Sequence, residues 1–261
     1  MPMKSRCGLV LALCLAFCLA AGALHAAETG RLFQTSTLQA LMAGVYDGDL
    51  TFQELARHGD FGLGTFEALD GGMIALDGAF YQIKADGRVS PVAGAMKTPS
   101  AEVTFFKAGR RHMIEMPLNY RQLLDYVDRL LPSPNLPYAI RVDGHFSSVK
   151  ARSIPRQQKP YPPLAQAAEK QVVFELANVK GVIVAFRHPA YLAGVNMAGY
   201  HCHFIAADRR AGGHLPDCRV EGATVAVAAL TNFSLRLPDS QEFLQSDLTG
   251  DRCQELEKIE R

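Results

Sequence analysis

Apolar positions fall into short alternating runs along most of this chain, and one stretch stands out with helical spacing. Leu123, Leu124, Val127, Leu130 and Leu131 repeat along one face, which predicts a helix that must stop before Pro132. Thr51, with Glu54 three residues on, has the pattern of a capping box and opens a short helix that Gly59 can end. Asp70-Gly71 and Asp77-Gly78 are turn signals, so Met73 to Leu76 and Ala79 to Ile83 read as strands around the second. Val103 to Phe106 and His112 to Met116 are expected to extend the same sheet. Tyr138 to Val142 and His145 to Arg152 read as two strands across an Asp143-Gly144 turn. Pro155 to Pro163 contains four prolines and reads as an extended connector. Beyond it a short helix is expected over Leu164 to Gln171. Strands are expected at Val172 to Leu176, Gly181 to Phe186, Tyr200 to Ala206 and Thr224 to Leu237, the last ended by Pro238. The pattern predicts a mixed α/β (α+β) protein: two strand-rich halves with mixed sheets and a few helices. The division expected is a leader at 1–26, an N-terminal mixed-sheet domain at 27–158 and a C-terminal sheet domain at 159–261.

Composition changes this picture little. Hydrophobic residues make up 48% and charged residues 20%, the balance of an ordinary globular protein. A net charge of +1, with no basic cluster interleaved with aromatics, gives no footprint for nucleic acid. The N-terminus matters more. Lys4 and Arg6 precede an uncharged apolar run from Gly8 to Leu24, followed by Ala26-Ala27, the layout of a secretory signal peptide. Cleavage after Ala26 leaves Leu24 where a small residue is preferred. An uncleaved anchor is the competing reading, for which the run sits at the short edge of a membrane span. The expectation is an exported protein, periplasmic or extracellular, with no stable membrane span after cleavage. Cys7, Cys14 and Cys18 would leave with the leader. Cys202, Cys218 and Cys253 remain, an odd set that makes no disulfide scaffold.

The chemistry concentrates near the C-terminal end. His201 and His203 flank Cys202 in an expected strand, so both imidazoles share one face and Cys202 takes the other, as a small buried hydrophobe. Asp208 to Gly213 supplies turn residues, and His214 follows at once. A hairpin there carries His214 back beside the pair. Three imidazoles at one point form a catalytic divalent-metal site with positions left open, suited to zinc and also to iron, nickel or copper. The same spacing also fits ordinary polar surface, and a three-nitrogen site does not by itself choose between activating water and gripping a chelating substrate. The remaining histidines, His188 among them, have no such partners and read as structural.

Gly199-Tyr200-His201-Cys202-His203-Phe204, Asp208-Arg209 and Gly212-Gly213-His214 together resemble the signature of the alpha-acetolactate decarboxylases. Gly64-Thr65-Phe66, Leu69-Asp70-Gly71, Phe80-Tyr81-Gln82, and Arg152 with Lys159-Pro160-Tyr161 resemble other family motifs, in the right order over nearly the whole mature chain. The resemblance implies decarboxylation of 2-acetolactate to acetoin and CO2 through a metal-stabilised enediolate. It also implies Zn2+ held by His201, His203 and His214, and a homodimer. Arg152, Thr65 and Glu260 correspond to family residues at the active site, the last on a tail that folds back to the metal. One departure stands out. Where the family continues Asp-Gly with a glutamate at the metal, this chain has Gly72, so impaired turnover is expected unless another carboxylate, such as Glu67, Asp70 or Glu260, takes over. The other function classes that fit are an exported metal-dependent hydrolase and a non-catalytic hydroxyketone-binding relative.

Overall fold

The computed structural model describes residues 29–250, 252, 255 and 256. The leader, Cys253 and Glu260 therefore lie outside the described residues. Two sheets face each other across one layer of apolar side chains. The first has seven strands. Its order is β15 (Asn232–Arg236), β1 (Arg31–Thr35), β8 (Ala101–Thr104), β3 (Phe61–Thr65), β4 (Gly72–Leu76), β5 (Ala79–Ile83) and β6 (Val89–Pro91). Only the β1–β15 pair is parallel. The second sheet is built on three long strands, β11 (Tyr138–Ser153), β12 (Val172–His188) and β14 (Gly212–Ala229), with β13 (Gly199–Ala206) paired to both β12 and β14. Strands β9 (Arg111–Ile114) and β10 (Leu118–Asn119) add to β14, and β2 (Leu50–Thr51) pairs with β7 (Lys97–Thr98) apart from both sheets. The anticipated boundary at 158/159 falls after β11, and each sheet takes strands from both sides of it. Among the described residues no helix is long and apolar enough to cross a membrane.

Alternation explains the layering. Leu32, Phe61, Leu63 and Ile74 of the first sheet meet Val182, Val184, Phe186 and Ile205 of the second in one buried cluster. The intervening residues of β13, Cys202 and Phe204, point the other way, into a core with Phe146, Leu215 and Cys218. That core is closed by the longest helix among the described residues, α1 (Tyr120–Asp128), through Leu123 and Val127. Asn119 and Gln122 cap it reciprocally.

Four expectations need correction. Asp143-Gly144 is not a turn, because β11 runs through it for 16 residues. Arg141 clasps Asp143 at 2.7 and 2.8 Å, and a Cβ on Gly144 would come within 2.7 Å of Gly222 O and Ala223 Cβ. That glycine serves close strand packing, which sequence cannot tell from a turn. The two strands expected between Val172 and Phe186 are likewise the single strand β12. His112 to Met116 contributes β9 to the second sheet instead of extending the first. Thr224 to Leu237 is broken at Leu230-Thr231, whose amides bond to Pro137 O and Gly30 O as the chain crosses between sheets.

Candidate active site

The histidine cluster follows from strand register. His203 pairs directly with His214, and Arg152 pairs with His214 on the other side, so the three side chains stand in one row across β13, β14 and β11. His201 joins them two residues before His203 on the same face. Pro216 makes this possible. Lys150 lies opposite Asp217 and Arg152 opposite His214, so β14 spends one extra residue there, a bulge that needs no ladder hydrogen bond from proline. The bulge reverses the alternation. Leu215 and Cys218 both face the core, while His214 emerges on the side of Arg152. Gly213 has φ +149°, and a Cβ there would lie 2.6 Å from Arg152 O, so only glycine lets the two strands approach this closely.

The three ring centroids are 5.1 to 5.4 Å apart. One nitrogen from each ring falls within 4.8 Å of the others, so the set could hold a metal ion. His203 is buried, and its Nδ1 lies 2.9 Å from Met73 O. A carbonyl only accepts, so Nδ1 carries the proton and Nε2 is left with its lone pair. Burial, then the neighbouring His201 and His214, hold the His203 pKa well below the usual imidazole value, keeping the ring neutral as a ligand must be. The donor set therefore fits a divalent cation.

The cavity in front of these rings lies at one end of the inter-sheet layer. Arg152 lines it and is 6% exposed. Thr65 also lines it, and its Oγ1 donates to Gly71 O at 2.8 Å. Gly72 sits on the opposite wall, where a Cβ would meet His203 Cε1 at 3.4 Å, ordinary contact distance. A side chain at 72 would thus enter the histidine cluster. The C-terminal tail returns to this place, with Leu256 among the lining residues.

Of the carboxylates considered from sequence, Glu260 lies outside the described residues, and the other two do not gather here. Glu67 lies 3.9 Å from Arg156, and Asp70 pairs with Lys84 at 3.0 Å; neither lines the cavity. The acid that does is Glu102, the only one among the described lining residues. It is 4% exposed, with Oε2 at 2.8 Å from His188 Nε2 and Oε1 at 3.8 Å from His201 Nδ1. Burial alone would raise its pKa, but His188 and His201 outweigh that and hold it down at about 2. Sequence reasoning missed both Glu102 and the part played by His188. The available signal was an acid inside the short strand Ala101–Thr104, whose four residues are all buried.

Fold and site together describe a mixed-sheet protein with a cavity whose three histidines could hold a metal. The chain belongs to the alpha-acetolactate decarboxylase family, whose family model matches residues 32–250. It is 50% identical over 230 residues to the alpha-acetolactate decarboxylase of Methanosarcina mazei, covering 88% of this chain and 80% of that one. It is 46% identical over 233 residues to that of Methylococcus capsulatus, covering 89% and 90%. The crystal structure of the Bacillus subtilis enzyme superposes with a TM-score of 0.86 at 39% identity, over 88% of this chain and 99% of that one. The chain is a carboxy-lyase, and its relatives support alpha-acetolactate decarboxylase activity.

Proposed function

We propose that this protein converts 2-acetolactate to acetoin and CO2 at the histidine-lined cavity, with zinc as the resident metal. The observation that carries the reading is the convergence of His201, His203 and His214 beside a buried arginine. A divalent cation there supplies positive charge to a hydroxyl and ketone on adjacent carbons, and to the negative charge that develops as CO2 leaves. The chain's own residues do the rest. The Arg152 guanidinium, planar and permanently charged, binds the substrate carboxylate. When the bond to that carboxyl breaks, its electron pair passes into the neighbouring ketone and gives an enediolate. A proton from water in the cavity, since Gly72 offers none, then completes acetoin at the carbinol carbon. Leu63, Leu69 and Ile154 give the cavity an apolar lining. Thr65 ties down the Gly71 carbonyl and so fixes the loop that carries Gly72.

Gly72 supplies neither ligand nor proton, so turnover is slower than a site with an acid/base group at that position would allow, by about 10²-fold or more. Export rests on the Lys4, Arg6 and Gly8 to Leu24 pattern, and the mass of the mature N-terminus tests it. The homodimer rests on the family resemblance, and sedimentation tests it. The experiment for the function is metal analysis of the purified protein beside acetoin release from racemic acetolactate, with and without chelator. One zinc per chain and chelator-sensitive acetoin are expected. Acetoin release that survives complete removal of the metal would overturn the proposal.

A further inference from the structure

We infer that Glu102 is a positioning residue for the metal site: it orients His201 through Nδ1 and is the cavity's own negative charge beside the cation. The inference rests on the metal-site reading above and goes beyond it, since Glu102 belongs to none of the motifs that identify the family here. Glu102 stands in the middle of the first sheet and pairs with Gln34 on one side and Leu63 on the other. Leu63 belongs to the inter-sheet cluster, so Glu102 shares the face that looks across at the histidines.

A carboxylate in such a place is costly unless it is paired. Oε2 is fully engaged. It accepts from Asn196 Nδ2 at 3.0 Å and from His188 Nε2 at 2.8 Å. Asn196 is itself fixed by donating to Gln34 Oε1 at 2.8 Å, and Gln34 donates to Val195 O and Ser36 O. This buried framework presents Oε1 to His201 Nδ1, 3.8 Å away. At that distance the pair is electrostatic, and the negative charge favours the tautomer with the proton on Nδ1, which leaves Nε2 as the ligand atom. His203 reaches the same tautomer through the Met73 carbonyl. Two of the three rings thus have their outer nitrogen directed by the first sheet, one by a neutral dipole and one by a full charge. Charge balance points the same way. The three imidazoles are neutral as ligands, so the described cavity lining carries one positive charge, a guanidinium, and Glu102 alone offsets it and an incoming dication.

The test is zinc affinity by competition with a chromophoric chelator, on the whole protein. Glu102→Gln keeps the shape and removes the charge, and should weaken zinc binding by about 10- to 100-fold. Its Co2+ complex should show a shifted visible spectrum. In a His201→Ala background the same substitution should cost clearly less than in the wild type, because the orienting part of its effect passes through that ring and only the loss of charge beside the cation remains. A purely structural role would instead lower the metal-free melting temperature and add independently to His201→Ala. If Glu102→Gln does not fold, Glu102→Asp serves in its place: it keeps the charge, withdraws it by one methylene and should lose affinity by a smaller factor. Zinc affinity unchanged in the folded variant overturns the inference and leaves the histidine site standing. A wild-type protein that binds zinc through the histidines but releases no acetoin overturns the decarboxylase reading alone. One that takes up no zinc overturns both.

Discussion

The two walls of the cavity are built in different ways. The second sheet contributes His201, His203 and His214 from a hairpin of 14 residues, with Arg152 one strand away in register. The first sheet contributes Thr65, Gly72 and Glu102, brought together by pairing among three strands. One wall is a compact ligand cluster set by alternation and one bulge. The other is a surface of shape and charge with a single acid. The contrast assigns metal retention to the first and the tuning of rate and affinity to the second.

The sharpest way to break this division is to remove a ligand. His203→Ala takes away the most buried of the three rings and also the hydrogen bond from it to the Met73 carbonyl. Metal content should fall below one ion per chain. The lost charge stabilisation, several kcal/mol, should lower kcat/KM by about 10³-fold or more. A variant that keeps full zinc and near-normal acetoin release would show that the metal lies elsewhere.

The opposite wall predicts a gain. Gly72→Glu places a carboxylate where a Cβ meets the His203 ring at ordinary contact distance, in a backbone that does not require glycine there. Acetoin release should rise by about 10²-fold or more, measured as kcat at saturating substrate. No rise would show that the glycine is not what limits turnover.

Arg152 belongs to the ligand wall, yet the proposed function gives it the substrate carboxylate to bind. Arg152→Lys retains the charge and loses the planar two-pronged contact, so KM should rise and kcat/KM fall by about 10-fold or somewhat more, with zinc content unchanged. Loss of metal in this variant would move Arg152 from substrate binding to the support of His214.

How much of this was legible in the sequence divides along the same line. Ligands two apart in a strand, and a third just beyond a turn, are local facts, so alternation pairs the first two and the turn brings back the third, while the bulge that faces His214 to the cavity shows only in the strand register. The length of β11 was misread because Asp143-Gly144 has the composition of a turn, while its cause, close contact with Gly222 and Ala223, comes from a strand some 80 residues later. Glu102 was invisible for a related reason. A glutamate between Ala101 and Val103 says nothing of which partner strands flank it, and its neighbours His188 and Asn196 arrive from the other half of the chain. Local periodicity specifies which face a side chain takes, and only tertiary pairing specifies what that face meets.

Thr65 gives the smallest effect and the finest test of the contrast. It resembles a family active-site residue, yet its hydroxyl is already committed to the Gly71 carbonyl at 2.8 Å. That bond gives it the work of holding the loop that ends in Gly72, a task of shape. Thr65→Val preserves volume and deletes the donor, leaving a carbonyl short of one partner at a cost of about 1 kcal/mol. That cost should appear as a small drop in melting temperature and a decrease in kcat/KM of less than about 10-fold, with zinc affinity unchanged. Thr65→Ser, which keeps the hydroxyl, should restore most of the activity. A much larger loss in the valine variant, rescued by serine without any change in melting temperature, would mean that the hydroxyl meets the reacting substrate. The first sheet would then supply chemistry as well as shape.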